Sequence, residues 1–296
     1  MIFGYFKTFC PYFPGAKKVE LEDEMLTEKL FEFDSLKLNY AESAPNGAPI
    51  AVVHGIPSRW QGMAQLIEPL EASWHVFACD MRGHGKSGRA SSYRAIDYSS
   101  DIVAFVKHQI GVPTVLLGHS GGAMAVLGAV ALIPELVRAV ILLDPPFMQR
   151  ESLAWPKSTN DLMVGVRDIL KGERSAREVL LECLPGIDNR KIRWFADTFS
   201  CVDIEVVNTL LEGRFFEGLD LESQLKQVNC PVQMFYGDVE KGALVRKSDV
   251  DFFLSITKNG SAVHVKDVGH HLHAQKPQEV LGGMADWLTL NAISID

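Results

Sequence analysis

The stretch Thr114-Val-Leu-Leu-Gly-His-Ser-Gly-Gly-Ala-Met-Ala-Val-Leu-Gly-Ala-Val130 decides the fold. Val115–Leu117 is a short apolar run with the length and composition of a buried strand. The closing segment, rich in Ala, Leu, Val and Met, consists of good helix formers. Between them, Gly118-His119-Ser120-Gly121-Gly122 fits G-x-S-x-G in the strand–turn–helix setting that this pattern requires. A chain that reverses from strand into helix within a few residues leaves no space for side chains beside the turning residue. Gly118 and Gly122 therefore clear the crossing, and strained backbone holds Ser120 Oγ at the tip of the bend. Free N–H groups and the positive end of the helix favour a developing oxyanion there. Ser120 is thus a candidate nucleophile.

Outward from this stretch, the strand and helix signals alternate. Glu28–Phe33 and Lys37–Tyr40 read as a leading antiparallel hairpin, with Asp34-Ser35 as its turn. Ile50–Val53 is a bare apolar run typical of a strand buried on both faces. It ends in His54-Gly55-Ile56-Pro57, with a helix expected to about Leu70. Trp74–Ala78 is the next strand, followed by Asp80-Met-Arg-Gly-His-Gly-Lys-Ser87 and a helix over Tyr98–His108. Val137–Leu143 is another buried strand, closed by Asp144-Pro145-Pro146. Such alternation predicts an α/β fold: a mostly parallel sheet, helices on both faces and right-handed connections.

The rhythm breaks after Phe147. Residues 147–226 contain no buried-strand run but several charged, helix-like segments: Asn160–Lys171, Ser175–Leu184, Lys191–Phe199 and Val202–Glu212. This predicts a helical lid (147–226) inserted in a core formed by 28–146 and 227–296, with residues 1–27 as an N-terminal extension. Strand rhythm returns at Pro231–Tyr236 and Ala262–Val265, with helices near Ser248–Leu254 and Pro277–Leu288. In the lid, Trp155, Met163, Phe195, Phe199 and Phe215 predict a largely apolar pocket for substrate, although several must also pack the lid onto the core.

Composition narrows the class. A net charge of −8 over 296 residues, with no long Lys/Arg run, argues against nucleic acid as a partner. Five dispersed cysteines without a C-x-x-C pair fit neither a disulfide framework nor a zinc site and suit a reducing compartment. His270, His271 and His273 cluster, but without carboxylates or cysteines at ligand spacing, so neither metal nor other cofactor is expected. No apolar run approaches the ~20 residues of a membrane span. The aromatic start, Met1–Phe13, lacks the layout of an export signal. The expectation is a cytoplasmic protein acting on a small molecule, with a homodimer left open.

A serine hydroxyl needs a base, and the base an orienting acid. In an open α/β sheet these lie on loops leaving the carboxyl ends of strands. After the last strand, Gly269 frees the backbone to turn His270 toward Ser120, making His270 the expected base; His271 and His273 are expected to face elsewhere. Three carboxylates could be the acid: Asp238 first, then Glu240, both after the Pro231–Tyr236 strand, and then Asp144. Oxyanion donors are expected from the N–H of Gly121, after the nucleophile, and of Ile56, beside the permissive Gly55. His54 is expected to brace that loop.

With these residues assembled, the chain resembles the α/β-hydrolase fold superfamily from about Glu28 onward. Four segments match in order: His54-Gly-Ile-Pro57, Asp80–Ser87, Gly118–Gly122, and Gly269-His270 with Pro277 downstream. The resemblance implies Ser120 as nucleophile, His270 as base, an acid after the Pro231–Tyr236 strand and an inserted lid. Many members place the acid three residues after the glycine ending that strand, which here is Glu240. A subgroup resembling Gly237–Leu244 uses the residue directly after the glycine, here Asp238. Some lactone-cleaving relatives use the position of Asp144. The His-Gly-x-Pro loop is also similar to that of epoxide hydrolases, but these and the haloalkane dehalogenases use an aspartate nucleophile, and Ser120 argues against both. The expected activity is serine-dependent cleavage of an ester or lactone. A carbon–carbon hydrolase of ring-cleavage products, a hydrolase-like ligand receptor and a non-catalytic binding protein are the alternatives.

Overall fold

A computed structural model describes residues 26–147 and 155–293; the aromatic start and most of the 1–27 extension lie outside the described residues. Eight strands form one sheet: β1 (Thr27–Phe33), β2 (Leu36–Glu42), β3 (Pro49–Val53), β4 (His75–Cys79), β5 (Thr114–His119), β6 (Val137–Leu143), β7 (Val232–Tyr236) and β8 (Gly260–His264). Their spatial order is β1-β2-β4-β3-β5-β6-β7-β8. β1 and β2 pair antiparallel, as do β2 and β4. From β4 to β8 all neighbours are parallel.

The bare apolar runs have a simple physical basis. Both faces of the central sheet are covered, so successive residues of one strand enter two different cores. On one face, Ala51, Val53 and Leu116 pack with helices α2 (Ala95–Phe105) and α3 (Gly121–Leu132). On the other, Ile50, Val52, Val115 and Leu117 meet α1 (Ala64–Leu70) and α11 (Pro277–Leu290). A strand lacking a solvent face has no polar position, and the alternation disappears. Helix α3 follows the same rule: residues 121–130 are all buried, so it has no polar stripe.

Among the described residues, β6 is followed by α4 (Lys157–Lys171), α5 (Ala176–Cys183), α6 (Asn189–Ser200) and α7 (Ile204–Leu211). A 3-10 turn over Arg214–Phe216 and α8 (Leu221–Gln227) then lead into β7; α9 (Lys247–Ile256) and the single-turn α10 (Leu272–Gln275) lie on either side of β8. Polar side chains and backbone groups tie the helical insertion to the core. Arg59 Nη2 donates to Asp197 Oδ2 at 2.5 Å. Asp203 donates its N–H to Gly83 O (2.8 Å), and its carboxylate accepts from Tyr93 Oη (2.6 Å). Element ends differ from the periodicity where polar caps take over. Helix α6 starts at Asn189, not Lys191, because Asp188 Oδ1 accepts from the Arg190 and Lys191 N–H groups. Helix α2 starts at Ala95 rather than Tyr98, its first turn tied by the Arg94 N–H to Asp97 Oδ2 (2.9 Å). Among the described residues no helix is long and apolar enough to cross a membrane.

The strand order reverses between β3 and β5, since β4 lies to one side of β3 and β5 to the other. Loops leaving the carboxyl ends of these strands diverge and open a crevice, the position at which α/β sheets bind ligands. The β3 loop carries Ile56; the β5 bend carries Ser120 and Gly121.

Candidate active site

The bend after β5 is as tight as its glycines imply. Ser120 has φ 52° and ψ −119°, a strained backbone for a non-glycine residue. A Cβ at Gly118 would lie 2.4 Å from Gly122 O, and one at Gly122 would lie 2.3 Å from His54 O. The Ser120 N–H is held by Leu143 O at 2.9 Å, which ties the bend to β6. Its side chain makes no capping bond to the helix that follows, and the residue is only 7% exposed, on the wall of a cavity of about 370 Å³.

The β3 loop approaches from the other side. A Cβ on Gly55 would meet Ser120 Cβ at 3.1 Å and His119 Nδ1 at 2.6 Å, so only glycine allows this approach. Ile56 packs against Gly121, and both line the cavity with Ser120. Neither the Ile56 nor the Gly121 N–H donates to another group among the described residues. His54 acts as a brace: Nδ1–H donates to Gly55 O (2.7 Å), while Nε2 accepts from the Met81 N–H (3.0 Å). Burial pushes its imidazole down to about 4, so it stays neutral and keeps one tautomer. The loop after β4 is organised by buried Asp80, which accepts from Trp60 N–H, Lys86 N–H and Asn39 Nδ2 at 2.8–3.0 Å. Burial raises its carboxyl above the ordinary range.

His270 also lines the cavity. Its Nδ1 lies 2.6 Å from Asp144 Oδ2. Asp144, the last-ranked of the three carboxylates, is therefore the one that meets the imidazole. It is fully buried at the end of β6, with φ 44°, a left-handed conformation that Asp tolerates better than most residues. Three donors converge on it: His270, Leu244 N–H on Oδ2 (2.8 Å) and Val245 N–H on Oδ1 (3.2 Å).

Asp238 is engaged elsewhere, which corrects the order expected from the sequence. It faces the outer edge of the sheet, where Oδ1 meets His264 Nε2 (2.6 Å) and Oδ2 accepts the Asp267 N–H (2.8 Å). That N–H bond holds its carboxyl below the ordinary range. Glu240 sits exposed in a 3-10 turn. The physical reason is lateral: β6 lies next to β5, whereas β7 is one strand further out.

The cavity's other walls contain Trp155, Phe195, Phe199 and Phe215, together with Leu162, Met163, Leu184 and Leu210 of the helical insertion. Phe199 and Phe215 are also core side chains, each about 1% exposed. Phe195 and Phe199 stack at 5.5 Å. The expectation that His271 and His273 face elsewhere fails. Residues 272–275 turn as a helix instead of extending, so both rings join His119 and His270 on the cavity wall. His119, whose Nε2–H donates to His270 O (3.0 Å), is a site residue absent from the sequence expectations. Its signal was its place in the motif, directly before Ser120. Burial holds His119 and His273 neutral, the latter down to about 3.

A parallel sheet with a strained Ser at the β5 bend, a neighbouring amide-lined loop and an Asp-paired His defines the α/β-hydrolase fold, and the protein has that fold. A family model described as alpha/beta hydrolase fold matches residues 48–175. The chain is similar to 2-(acetamidomethylene)succinate hydrolase of Mesorhizobium japonicum, with 29% identity over 136 residues, 45% of this chain and 49% of the relative. It is similar to epoxide hydrolase A of Mycobacterium tuberculosis, with 32% identity over 129 residues, 42% of this chain and 40% of the relative. The matches thus span about half the length of these relatives or less. Among solved structures, N-formylmaleamic acid deformylase from Pseudomonas putida superposes with a TM-score of 0.75 and 20% identity, over 87% of this chain and all of that one.

Proposed function

We propose that the protein is a serine hydrolase that cleaves a carboxylic ester or lactone with a largely apolar acyl or ring group. The observation that carries this reading is buried Asp144 bonded to His270, which shares a cavity with a serine on strained backbone. With His270 Nδ1–H committed to Asp144, the lone pair is at Nε2, the tautomer a general base needs. Ser120 Oγ attacks the carbonyl carbon and its proton passes to His270 Nε2. The Ile56 and Gly121 N–H groups receive the oxyanion as it forms. Collapse returns the proton to the leaving oxygen. Water, deprotonated by the same imidazole, then releases the acid from Ser120.

The cavity lining supports a neutral, apolar group. Among the described lining residues only Lys241 is a fixed cation, and Asp267 Oδ1 accepts from its Nζ at 3.1 Å. A dicarboxylate such as the succinate derivative named for one relative would bring two charges into a wall with little to neutralise them. A hydroxyl at position 120 favours acyl transfer over opening of an epoxide by a carboxylate. We assign the helical insertion the role of a lid that carries the acyl pocket.

A fluorophosphonate probe tests the reading. The wild-type chain should label and the Ser120→Ala chain should not; a folded wild-type chain that fails to label refutes it. Turnover of p-nitrophenyl butyrate separates an enzyme from a ligand receptor. A panel of acyl esters, lactones and vinylogous diketones separates acyl cleavage from carbon–carbon cleavage.

A further inference from the structure

We propose that His119, His271 and His273 form a binding site for one divalent transition-metal ion of the zinc class, on the cavity wall beside Ser120. One ring nitrogen from each of the three lies within 4.8 Å of the others. Zinc binds imidazole nitrogen at about 2.0–2.1 Å, which separates two donors on a tetrahedral ion by roughly 3.4 Å.

Two further observations point to a ligand. His273 is 4% exposed, and its Nδ1 is buried without a hydrogen-bond partner. Buried ring nitrogens are ordinarily paired, so an unpaired one on a ring grouped with two other imidazoles marks a position for an electron-pair acceptor. His119 has the arrangement seen in ligating histidines, with one ring nitrogen turned to a backbone carbonyl, here His270 O at 3.0 Å. A carbonyl only accepts, so Nε2 carries the proton and Nδ1 keeps the lone pair. His270 takes no part, because its Nδ1 faces Asp144.

An all-imidazole donor set favours Zn²⁺, Co²⁺, Ni²⁺ or Cu²⁺ over Mg²⁺ and Ca²⁺, which prefer oxygen. His271 is exposed into the cavity and provides the entry path. Three protein donors leave a fourth coordination position open toward the cavity. The ion would join the end of β5 to the loop bearing His270, and so would stabilise the folded chain by mass action. This inference stands apart from the hydrolase reading, because binding can be measured without turnover.

The test uses the full, untagged chain, stripped with chelator and titrated with Zn²⁺ by calorimetry, and with Co²⁺ by visible absorption. One ion per chain is expected, with ligand-field bands but no thiolate charge-transfer band, and a higher melting temperature in the loaded chain. His271→Gln and His273→Gln should each weaken binding by about tenfold or more, since even outer partners of metal-ligating histidines are worth 10- to 100-fold. Cys183→Ser should leave the affinity unchanged, although Cys183 is a free thiol on the same cavity. If His273→Gln does not fold, His271→Gln decides the matter alone, because its ring is exposed. The proposal is overturned by no saturable binding below about 0.1 mM, by binding that survives His271→Gln, or by binding lost in Cys183→Ser.

Discussion

Asp144→Asn, set against Asp238→Asn, separates the two candidate acids. In the structure three N–H donors meet Asp144: Oδ2 takes His270 Nδ1–H and the Leu244 N–H, and Oδ1 takes the Val245 N–H. An asparagine oxygen in the Oδ2 position keeps the first two bonds, while its NH₂ is left facing the Val245 N–H. The fold should survive with a loss of about 1–3 kcal/mol, the cost of an unsatisfied buried donor. Catalysis loses more. When His270 takes the serine proton it becomes a cation 2.6 Å from a buried carboxylate. At an effective dielectric near 20, a charge pair about 4 Å apart is worth about 4 kcal/mol. At 1.36 kcal/mol per power of ten, kcat should fall by about three orders of magnitude. Asp238→Asn removes a partly exposed bond to His264 and should change kcat by no more than about threefold, since such pairs contribute ~0–1 kcal/mol. The assay is steady-state hydrolysis of p-nitrophenyl butyrate, with circular dichroism and Tm as folding controls. Near-normal kcat in Asp144→Asn, or a thousandfold loss in Asp238→Asn, would refute the assignment.

Buried neutral histidines should make the protein acid-labile. His54 is held down to about 4, and His84 and His273 to about 3, each mainly by burial, so the unfolded chain binds their protons first. Their stability contribution is intact above pH ~6.5 and is lost as pH falls toward these values, by about 1.4 kcal/mol per pH unit for each group. From these three groups, urea titrations should show proton uptake on unfolding that rises from below about one at pH 7 to about 2.7 at pH 4.5; a flat profile would contradict the burial. Gly122→Ala should cost about 1–3 kcal/mol, because its Cβ would lie 2.3 Å from His54 O, and chemical denaturation measures this directly. Phe215→Ala should cost about 3–5 kcal/mol as a core residue, whereas Phe195→Leu, only partly buried, should shift the preferred acyl length with a small change in Tm.

Much of the architecture was written locally. Strands β3, β5 and β6 were legible because residues with no solvent face must all be apolar. The bend at Ser120 was legible because Gly118 and Gly122 have no room for a Cβ. The His-Gly-Ile-Pro loop was legible because a close backbone approach needs Gly55. These are constraints between residues a few positions apart, and a linear chain displays them. Helix ends were less legible where a cap such as Asp188 overrode the apolar spacing.

The partners of His270 were of another kind. Asp144 and His270 are far apart in sequence, and their meeting depends on β6 lying beside β5 with β7 one strand further out. Asp238 and Asp144 both end strands, so their sequence surroundings do not separate them; lateral strand order does. The gathering of His119, His271 and His273 likewise depends on a single helical turn at 272–275 docking against the end of β5. The sequence by itself determined where the chain could turn and which residues had to be buried. Which distant side chains share a proton was decided only when the sheet fixed the neighbours of each strand, because that choice is made by packing across the sheet and not by spacing along the chain.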